Sequence, residues 1–344
     1  MKIRVGVTGV GHRGIGLTRT LAKMEDVVLV ALADLDPQRL QRAAREFGVD
    51  KTFTLLSDML ESVSLDAVLI LTPDLAHHPQ TLKSLEAGVH VLVEKPPAYT
   101  VAETEEMAAA AERAGKHLMV AWNRIFALRR VKELFAQDPP EVVTINFVRP
   151  NPAYLALIRN HVVDPLHFIC GEPSAIVAQG AMFNAQQEGH VLASIRFQNG
   201  ALGQLTSSFG TGGHSEQFAA YGNGYAVFIE ATGRGQGRIM RGGQEVESLG
   251  PVDSTQLQLR HFIYCIKEDK EPLTSGREAV RIVRFMWAIM DAAGIGMPAL
   301  PDDGRGWLLW CTCGERVIPN LEQCPKCGQE WAGWALPIEM VKKI

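Results

Sequence analysis

A glycine-rich turn near the N-terminus has the spacing of a dinucleotide-binding loop. Gly9, Gly11 and Gly14 form the pattern G-x-G-x-x-G between a β-branched run and a helix-period segment. The first glycine allows a tight turn, the second lets a pyrophosphate approach the backbone, and the third lets the helix pack on the strand. Because the N-terminus of the helix offers N–H groups to phosphates, we expect His12 and Arg13 at the cofactor as well.

A carboxylate follows the second apolar run at the position that selects the cofactor. Asp34 comes twenty residues after Gly14, directly after the buried strand predicted over 27–33. A carboxylate there accepts hydrogen bonds from the adenosine ribose and repels the 2′-phosphate of NADP. Arg39 and Arg42 lie near enough in the sequence to soften that discrimination. The sequence therefore favours NAD as the cofactor over NADP.

Four cysteines near the C-terminus have the spacing of metal ligands. They form two pairs, each followed by glycine: Cys311 with Cys313, and Cys324 with Cys327. Two such knuckles are typical of a zinc ribbon, in which four thiolates close the coordination shell and the metal is structural. Disulfides or iron are the alternatives. A tail this short cannot bury a core of its own, so zinc would supply its stability.

Several further segments occur in an order that one family shares. They are Ala33–Pro37, Thr72-Pro73 with His77, Leu85–Pro96 and Met119–Arg124. With the glycine turn, these segments make the chain resemble the Gfo/Idh/MocA oxidoreductases, named after glucose–fructose oxidoreductase and inositol dehydrogenase. The resemblance spans residues 1–295 and is strongest over 1–130. It implies cofactor contacts from Thr72, Pro73, His77 and Glu94, and substrate contacts from Asn123 and Arg124.

The Glu94-Lys95-Pro96 triplet carries the first catalytic candidate. In the family that the chain resembles, the peptide between lysine and proline is typically cis, which would hold the Lys95 ammonium over the crevice at the carboxyl ends of the strands. A lysine in a partly desolvated site loses its proton more easily and can join proton transfer. A surface lysine that snorkels into water is the alternative.

The third motif of the family supplies a second catalytic candidate. It usually has an Asp, a His four residues later and another Asp three after that. Counting back from Gly171-Glu172-Pro173 places His161 and Asp164 at the last two positions and Leu157 at the first. The resemblance therefore implies His161 as a catalytic residue and Asp164 as a substrate contact. The alternative register pairs Asp164 with His167.

Leu157 leaves the motif incomplete, because leucine cannot orient or accept a proton. Asn160 or Tyr154 could substitute by position. The favoured function is an NAD-dependent dehydrogenase that acts on a sugar, cyclitol or related hydroxylated molecule. One alternative is an NAD-dependent glycoside-cleaving or epimerising relative. Another is an NAD(H)-binding protein without turnover that contacts a partner through its zinc ribbon.

The elements that must position these residues form three units. Over 1–123, short apolar runs alternate with helix-period segments, which predicts a Rossmann domain with a doubly wound parallel sheet. Over 124–300, strands at 141–148, 174–183, 190–197, 201–210 and 216–230 predict a mostly antiparallel open sheet, flanked by helices at 154–170, 254–268 and 277–293. A Pro- and Gly-rich linker then precedes the zinc-ribbon tail at 307–344.

Composition narrows the class of protein and its partners. The 344 residues are 47% hydrophobic and 21% charged, with a net charge of −4, so a disordered chain or a basic nucleic-acid binder is not expected. No apolar run approaches membrane-spanning length, and the N-terminus lacks a signal-peptide pattern, so we expect a cytoplasmic protein without a membrane partner. By resemblance alone, we expect a homodimer or homotetramer.

Overall fold

The computed structural model describes residues 2–150, 161–184 and 187–295. Its N-terminal part holds a six-stranded parallel sheet with the strand order β3-β2-β1-β4-β5-β6. The elements are, in chain order, β1 (Ile3–Thr8), α1 (His12–Leu21), β2 (Val27–Ala33), α2 (Pro37–Phe47), β3 (Thr52–Phe53), α3 (Leu56–Ser62), β4 (Ala67–Ile70), a 3₁₀ turn (Asp74–Ala76), α4 (His77–Glu86), β5 (His90–Val93), α5 (Val101–Ala114) and β6 (Leu118–Val120). The predicted doubly wound sheet is confirmed, whereas β3 and α3 were not predicted.

The parallel strands are apolar throughout because helices cover both faces of the sheet. All four residues of β4 are buried. Ala67 and Leu69 pack into one hydrophobic cluster, while Val68 and Ile70 pack into the other. This alternation follows from the two-residue period of a strand. The sheet therefore has two hydrophobic layers, with the ligand-binding positions left to its carboxyl edge.

A crevice opens at the carboxyl ends of β1 and β4. These two strands are neighbours, but the chain runs from β1 towards one edge of the sheet and from β4 towards the other. The loops after Thr8 and Ile70 therefore diverge, and doubly wound folds bind ligands at such a point. The glycine turn and the Thr72-Pro73 loop are the segments placed there.

The second part of the chain builds an eight-stranded sheet with the order β14-β13-β12-β11-β7-β10-β9-β8. Only the β7–β10 pair is parallel within this sheet, so the predicted mostly antiparallel sheet is confirmed. The elements are α6 (Arg124–Ala127), α7 (Arg129–Leu134), β7 (Val142–Arg149), α8 (Asp164–Cys170), β8 (Pro173–Asn184), β9 (Gln187–Phe197), β10 (Leu202–Phe209), β11 (Ser215–Gly222), β12 (Tyr225–Ala231), β13 (Gln236–Arg241), β14 (Gln244–Leu249), α9 (Ser254–Glu268) and α10 (Gly276–Ala292).

The single strand predicted over 216–230 is wrong, because a tight turn divides it into β11 and β12. Asn223 and Gly224 both have positive φ, of 50° and 73°, as a two-residue hairpin turn of the primed type requires. A second such turn, at Gly242 and Gly243, joins β13 to β14. Those two strands were not predicted, since β14 is largely exposed and lacks a clear apolar face.

The helix predicted over 154–170 is also wrong in part. Among the described residues it begins at Asp164, with Pro165 in its first turn, and residues 161–163 precede it as a bend. Proline suits the first turn because its missing N–H has no partner there. His161 therefore lies outside the helix, three residues before its start, and residues 154–160 lie outside the part that the structure describes.

Two helices from the end of the described chain pack against the first sheet's domain. Helix α9 packs on α1 and α6, and α10 packs on α5 and β8. Phe285 of α10 meets Phe197 of β9 edge to face, with ring centroids 5.9 Å apart. These contacts hold the second sheet against the first domain. The crevice at the carboxyl ends of β1 and β4 therefore lies between the first domain and the second sheet. No helix in the described ranges is long and apolar enough to cross a bilayer.

Candidate active site

The glycine turn leaves an open stretch of backbone at the start of α1. Gly9 has a φ of +88°, and a Cβ there would lie 2.6 Å from the carbonyl carbon of Leu71. A Cβ at Gly14 would lie 2.0 Å from the Gly9 carbonyl oxygen. A Cβ at Gly11, in contrast, would meet nothing nearer than Nη1 of Arg39 at 4.0 Å, and Gly11 begins the helix without a side-chain cap. An open backbone at an uncapped helix N-terminus fits a pyrophosphate.

Asp34 organises the backbone around this turn. Its Oδ2 accepts a hydrogen bond from the N–H of Val10 at 2.8 Å, and its Oδ1 accepts from the N–H of Asp36 at 2.8 Å. Arg39 Nη2 also donates to Oδ1, at 3.2 Å. The sequence placed Asp34 at the ribose, and the structure adds a second role: this buried carboxylate ties the glycine turn to the end of β2.

His77 joins the loops that follow β4 and β5. Its Nδ1 lies 2.7 Å from the carbonyl oxygen of Pro96, and its Nε2 lies 2.8 Å from that of Thr72. Carbonyl oxygens only accept, so both contacts are hydrogen bonds when both ring nitrogens carry protons. The side chain is 1% exposed. With both nitrogens on backbone oxygens, His77 has no polar atom left for the cofactor and instead sets the spacing of the two loops.

The remaining residues of the first loop support that arrangement. Thr72 donates its hydroxyl to Oε1 of Gln80 at 2.7 Å. Pro73 directly precedes the 3₁₀ turn, with extended backbone dihedrals. The predicted cofactor residue His12 is the first residue of α1, and it is exposed to solvent.

Glu94 links the glycine turn to the lysine loop. Its Oε1 accepts a hydrogen bond from Arg13 Nε at 2.9 Å, and its Oε2 accepts from the backbone N–H of Lys95 at 3.1 Å. The Lys95–Pro96 peptide bond is cis. Lys95 is partly buried, and its charge acts on both His161 and Asp164. The structure therefore brings Lys95, His161 and Asp164 together from segments about 70 residues apart in the sequence.

His161 and Asp164 form a buried pair. His161 Nδ1 lies 3.2 Å from Asp164 Oδ2, and their side chains are almost or completely buried. Burial, then the charges of Arg124 and Lys95, lowers the pKa of His161 well below its usual value. Burial raises the pKa of Asp164 to about 8 against the opposing effect of Arg124. The pair is therefore neutral near pH 7, and Nε2 is available as a base in the tautomer in which Nδ1–H donates to Asp164 Oδ2.

His167 does not join this pair. Its Nε2 lies 3.2 Å from Oε1 of Glu172, which follows the C-terminal end of α8. Its Nδ1 lies 3.8 Å from a carboxylate oxygen of Glu278. The structure thus favours the register that pairs His161 with Asp164. Leu157 lies outside the described residues.

A cavity of about 860 Å³ adjoins this cluster. Its lining includes Arg13 from the glycine turn, Asn123 and Arg124 from the start of α6, and the loop that precedes α9. Asn123 donates Nδ2 to the Ser254 hydroxyl at 2.8 Å, while its buried Oδ1 has no partner among the described residues. Lys95 and His161 do not line the cavity directly. Arg124 connects the two regions, since it lines the cavity and its charge acts on His161.

Sequence reasoning missed the residues that hold Arg124. Glu216 accepts a hydrogen bond from Arg124 Nη2 at 3.0 Å, and a Cβ at Gly233 would lie 2.7 Å from the Arg124 guanidinium carbon. Arg149, at the end of β7, binds the same Glu216 oxygen. These residues belong to no spacing motif, so only a pairing of charges across the sheet could have indicated them.

The predicted zinc ligands lie outside the described residues. Within the described ranges, no cluster of three or more potential metal ligands occurs.

The comparison with protein families agrees with the geometry of the turn and crevice. Residues 3–122 match the Gfo/Idh/MocA oxidoreductase family, described as an NAD-binding Rossmann fold. The match covers the N-terminal domain. The similarity predicted from the sequence motifs is thereby confirmed for this domain.

Individual relatives extend the similarity to the second sheet. The scyllo-inositol 2-dehydrogenase (NAD(+)) of Bacillus subtilis is 24% identical over 340 residues, covering 89% of this chain and 98% of its own. The myo-inositol 2-dehydrogenase of Thermotoga maritima is 25% identical over 251 residues, or 66% of this chain and 75% of its own. An oxidoreductase from Agrobacterium radiobacter, solved with NAD+, L-tartaric acid and magnesium, has a TM-score of 0.76 at 19% identity, covering 86% and 97% of the two chains. That structure supports the fold alone.

Proposed function

We propose that this protein is an NAD-dependent dehydrogenase that oxidises a secondary alcohol of a sugar, a cyclitol or a related hydroxylated molecule. The observation that carries the proposal is the meeting of Lys95 with the buried His161–Asp164 pair beside an open glycine turn. The relatives named above act on cyclitols by their names, and the family binds NAD. Bound NAD would supply the acceptor for the hydride that leaves the carbon.

The chain's own residues handle the proton. His161 Nε2 accepts the proton of the substrate hydroxyl, because burial and neighbouring cations hold the imidazole neutral. Asp164, at Nδ1 of the same ring, fixes the ring's orientation. The Lys95 ammonium stabilises the negative charge that develops on the substrate oxygen as the proton leaves. We assign catalysis to Lys95 and His161, with Asn123, Arg124 and Asp164 shaping the substrate site.

Cofactor selection rests on Asp34 and its neighbours. Asp34 Oδ2 carries one hydrogen bond, so it retains capacity for a ribose hydroxyl. The 2′-phosphate of NADP would be repelled by the buried Asp34 carboxylate. Arg39, which donates to Oδ1 of the same carboxylate, offsets part of that repulsion. The preferred cofactor is therefore NAD. Gly9, Gly11 and Gly14 shape the pyrophosphate site, while Glu94, His77, Thr72 and Pro73 set the loops around the nicotinamide.

A second copy of the chain covers the outer face of the second sheet. Exposed apolar side chains lie together on that face, with Val142 opposite both Leu202 and Tyr221 in the neighbouring strands. Val177 of β8 is 73% exposed and Leu192 of β9 is 52% exposed. A sheet face with several exposed apolar side chains is suited to an interaction surface, and a homodimer or homotetramer would cover it.

The C-terminal cysteines bind zinc in this proposal. Cys311, Cys313, Cys324 and Cys327 would close a tetrahedral site with a structural role. The other two cysteines, Cys170 and Cys265, are free and buried. Unpaired thiols suit a reducing compartment, so the cytoplasm is the proposed location.

A substrate screen tests the proposed activity. Purified protein is incubated with NAD+ and a panel of sugars, cyclitols and polyols, and NADH absorbance is followed. Turnover of at least one alcohol that is lost in Lys95→Ala supports the assignment. If NAD+ binds but the whole panel stays inert, the protein is instead a cofactor-binding protein without turnover. Release of an alcohol from a glycoside without net NADH would indicate the glycoside-cleaving relative.

A further inference from the structure

Two arginines share a single carboxylate at the wall of the cavity. Arg124 Nη2 donates to Oε1 of Glu216 at 3.0 Å, and Arg149 Nη2 binds the same oxygen. The second oxygen, Oε2, accepts from the Thr232 hydroxyl at 2.7 Å. Burial would raise the pKa of Glu216, but Arg124, Thr232 and Arg149 together lower it, so this carboxylate is ionised. Two positive charges therefore face one negative charge.

The Arg124 guanidinium is held in a fixed position. It lies against the backbone of Gly233, where a Cβ would come within 2.7 Å of both Cζ and Nη1. Its Nε is buried and has no hydrogen-bond partner among the described residues. Arg149 is fixed as well, since its guanidinium carbon lies 4.0 Å from the centroid of the Phe147 ring. Fixed guanidinium groups lose little conformational entropy when they bind a planar anion.

The surplus of positive charge extends to the proposed catalytic pair. Four cations act on His161: Arg124, Lys95, Arg13 and Arg149. Two carboxylates compensate part of that charge, because Glu94 pairs with Arg13 and Glu216 pairs with the two arginines. Asp164 adds little negative charge near pH 7, because burial raises its pKa to about 8.

A dinucleotide would neutralise only part of this surplus. Its pyrophosphate is assigned to the backbone of the glycine turn, beside Arg13. Arg124 lines the cavity at the start of α6, whereas Arg149 at the end of β7 does not line it and joins Arg124 through their shared partner Glu216. The cavity volume of about 860 Å³ is within the range of small-molecule sites. The lining also contains Arg234 with Asp253, and Glu230, which pairs with Arg238. The group of Arg124, Arg149 and Glu216 therefore keeps one uncompensated positive charge, which favours a second, separate anion.

We propose that the substrate carries an oxyanion, a carboxylate or a phosphate, and that Arg124 binds it with Arg149 in support. The substrate class is thus an acidic sugar or cyclitol rather than a neutral one. This inference rests on the proposed dehydrogenase function for the identity of the alcohol, but the anion site stands on its own geometry.

The test compares matched acidic and neutral ligands. D-Glucuronate and D-gluconate are measured beside D-glucose and myo-inositol, with glucose 6-phosphate as the phosphate probe. Binding is measured by calorimetry in the presence of NAD+, and turnover by NADH absorbance. We expect acidic ligands to bind about 10- to 100-fold more tightly than the neutral ones, with affinity that falls as salt is added. Preference between the uronate and the phosphate identifies the source of the oxyanion.

Variants locate the site. Arg124→Gln should reduce the ratio of acid to neutral affinity about 10-fold or more, and Arg124→Lys should restore only part of it, because lysine lacks the guanidinium fork. Gly233→Ala should have the same effect by displacing the guanidinium. The control is Arg130→Gln, which removes an arginine paired with Glu247 on the exposed surface. If Gly233→Ala fails to fold, the two Arg124 variants decide the matter.

The outcomes separate this inference from the proposed function. Acids that bind through Arg124 but are never oxidised support the anion site and contradict the dehydrogenase assignment. Neutral alcohols that are oxidised, with no preference for acids, overturn the anion site and leave the dehydrogenase assignment intact. A ratio of acid to neutral affinity that is unchanged in Arg124→Gln also overturns it.

Discussion

The Asp34 carboxylate accepts a hydrogen bond from the backbone N–H of Val10, at 2.8 Å. The residue expected to recognise the adenosine ribose therefore also fixes the first step of the glycine turn. The proposed cofactor recognition and the geometry of the turn therefore depend on the same buried side chain. A substitution there acts on the shape of the pyrophosphate site as well as on the ribose.

Replacing Asp34 with alanine should weaken NAD binding about 10-fold or more and narrow the preference for NAD over NADP. The buried N–H of Val10 would lose its acceptor, which costs about 1–3 kcal/mol. Calorimetry with both cofactors measures the change, and Asp34→Asn, which keeps one acceptor oxygen, should lose less. Tighter binding of NADP than of NAD to the unmodified protein would contradict the selection argument.

Lys95→Ala should abolish turnover while NAD affinity stays within a few-fold of the unmodified protein. The ammonium acts at His161 and Asp164, whereas the glycine turn and Asp34 hold the dinucleotide. Steady-state rates and calorimetry together check this separation. Lys267→Ala, which removes a surface lysine paired with Asp26, is the matched control. Normal turnover by Lys95→Ala on a verified substrate would remove the lysine from the mechanism.

His77→Phe should lower the melting temperature and reduce kcat more than it reduces NAD affinity. The carbonyl oxygens of Thr72 and Pro96 would lose their contacts with the imidazole, and the loop that carries Lys95 would lose its connection to the loop after β4. Thermal unfolding and steady-state kinetics measure both effects. The neighbouring His78, which contacts Glu106 near the surface, provides the control variant His78→Phe. Equal effects from both substitutions would argue against the tether.

Asp164→Asn should gain stability relative to the unmodified protein as the pH rises from about 4 to about 8. In that window the folded Asp164, with a pKa of about 8, keeps a proton that the unfolded chain releases near 3.8, so ionisation opposes folding as the pH rises. The pKa of His161 is shifted the other way, well below its unfolded value of 6.5, so just below pH 6.5 the unfolded chain binds a proton that the folded protein does not. His161 therefore makes stability rise with pH in that window. Only the Asp164 contribution disappears in the variant, and melting curves at several pH values isolate it. A difference independent of pH would mean that Asp164 is ionised in the folded protein.

Protein purified without chelator should contain one zinc per chain, and Cys324→Ser should lose it. Four thiolates leave no open coordination position, so the loss should lower thermal stability or change assembly more than NAD affinity. Elemental analysis and thiol titration measure the metal and the free cysteines. Four titratable thiols without zinc or iron would defeat the prediction.

Local sequence signals were sufficient for the first sheet apart from β3, for the glycine turn and for several helix ends. Thr100 and Glu103 have the spacing of a capping box, and each side chain binds the other residue's backbone N–H in the structure. Gly14 was predicted to permit close packing, and a Cβ there would meet the Gly9 carbonyl oxygen. Such features depend on residues a few positions apart, whose spacing in the chain fixes their spacing in space.

Tertiary structure alone decided which charged groups meet. Arg124 and Glu216 are 92 residues apart, and Arg13 and Glu94 are 81 apart, with no spacing rule to pair them. The N-terminal boundary of α8 also depended on the fold, since the pattern that runs through His161 continued into a helix that begins only at Asp164. The sequence determined a dinucleotide-binding crevice and its catalytic candidates, because local patterns define strands, turns and motifs. The charged groups around the cavity were decided by packing, because burial and neighbouring charges depend on which distant segments the two sheets bring together.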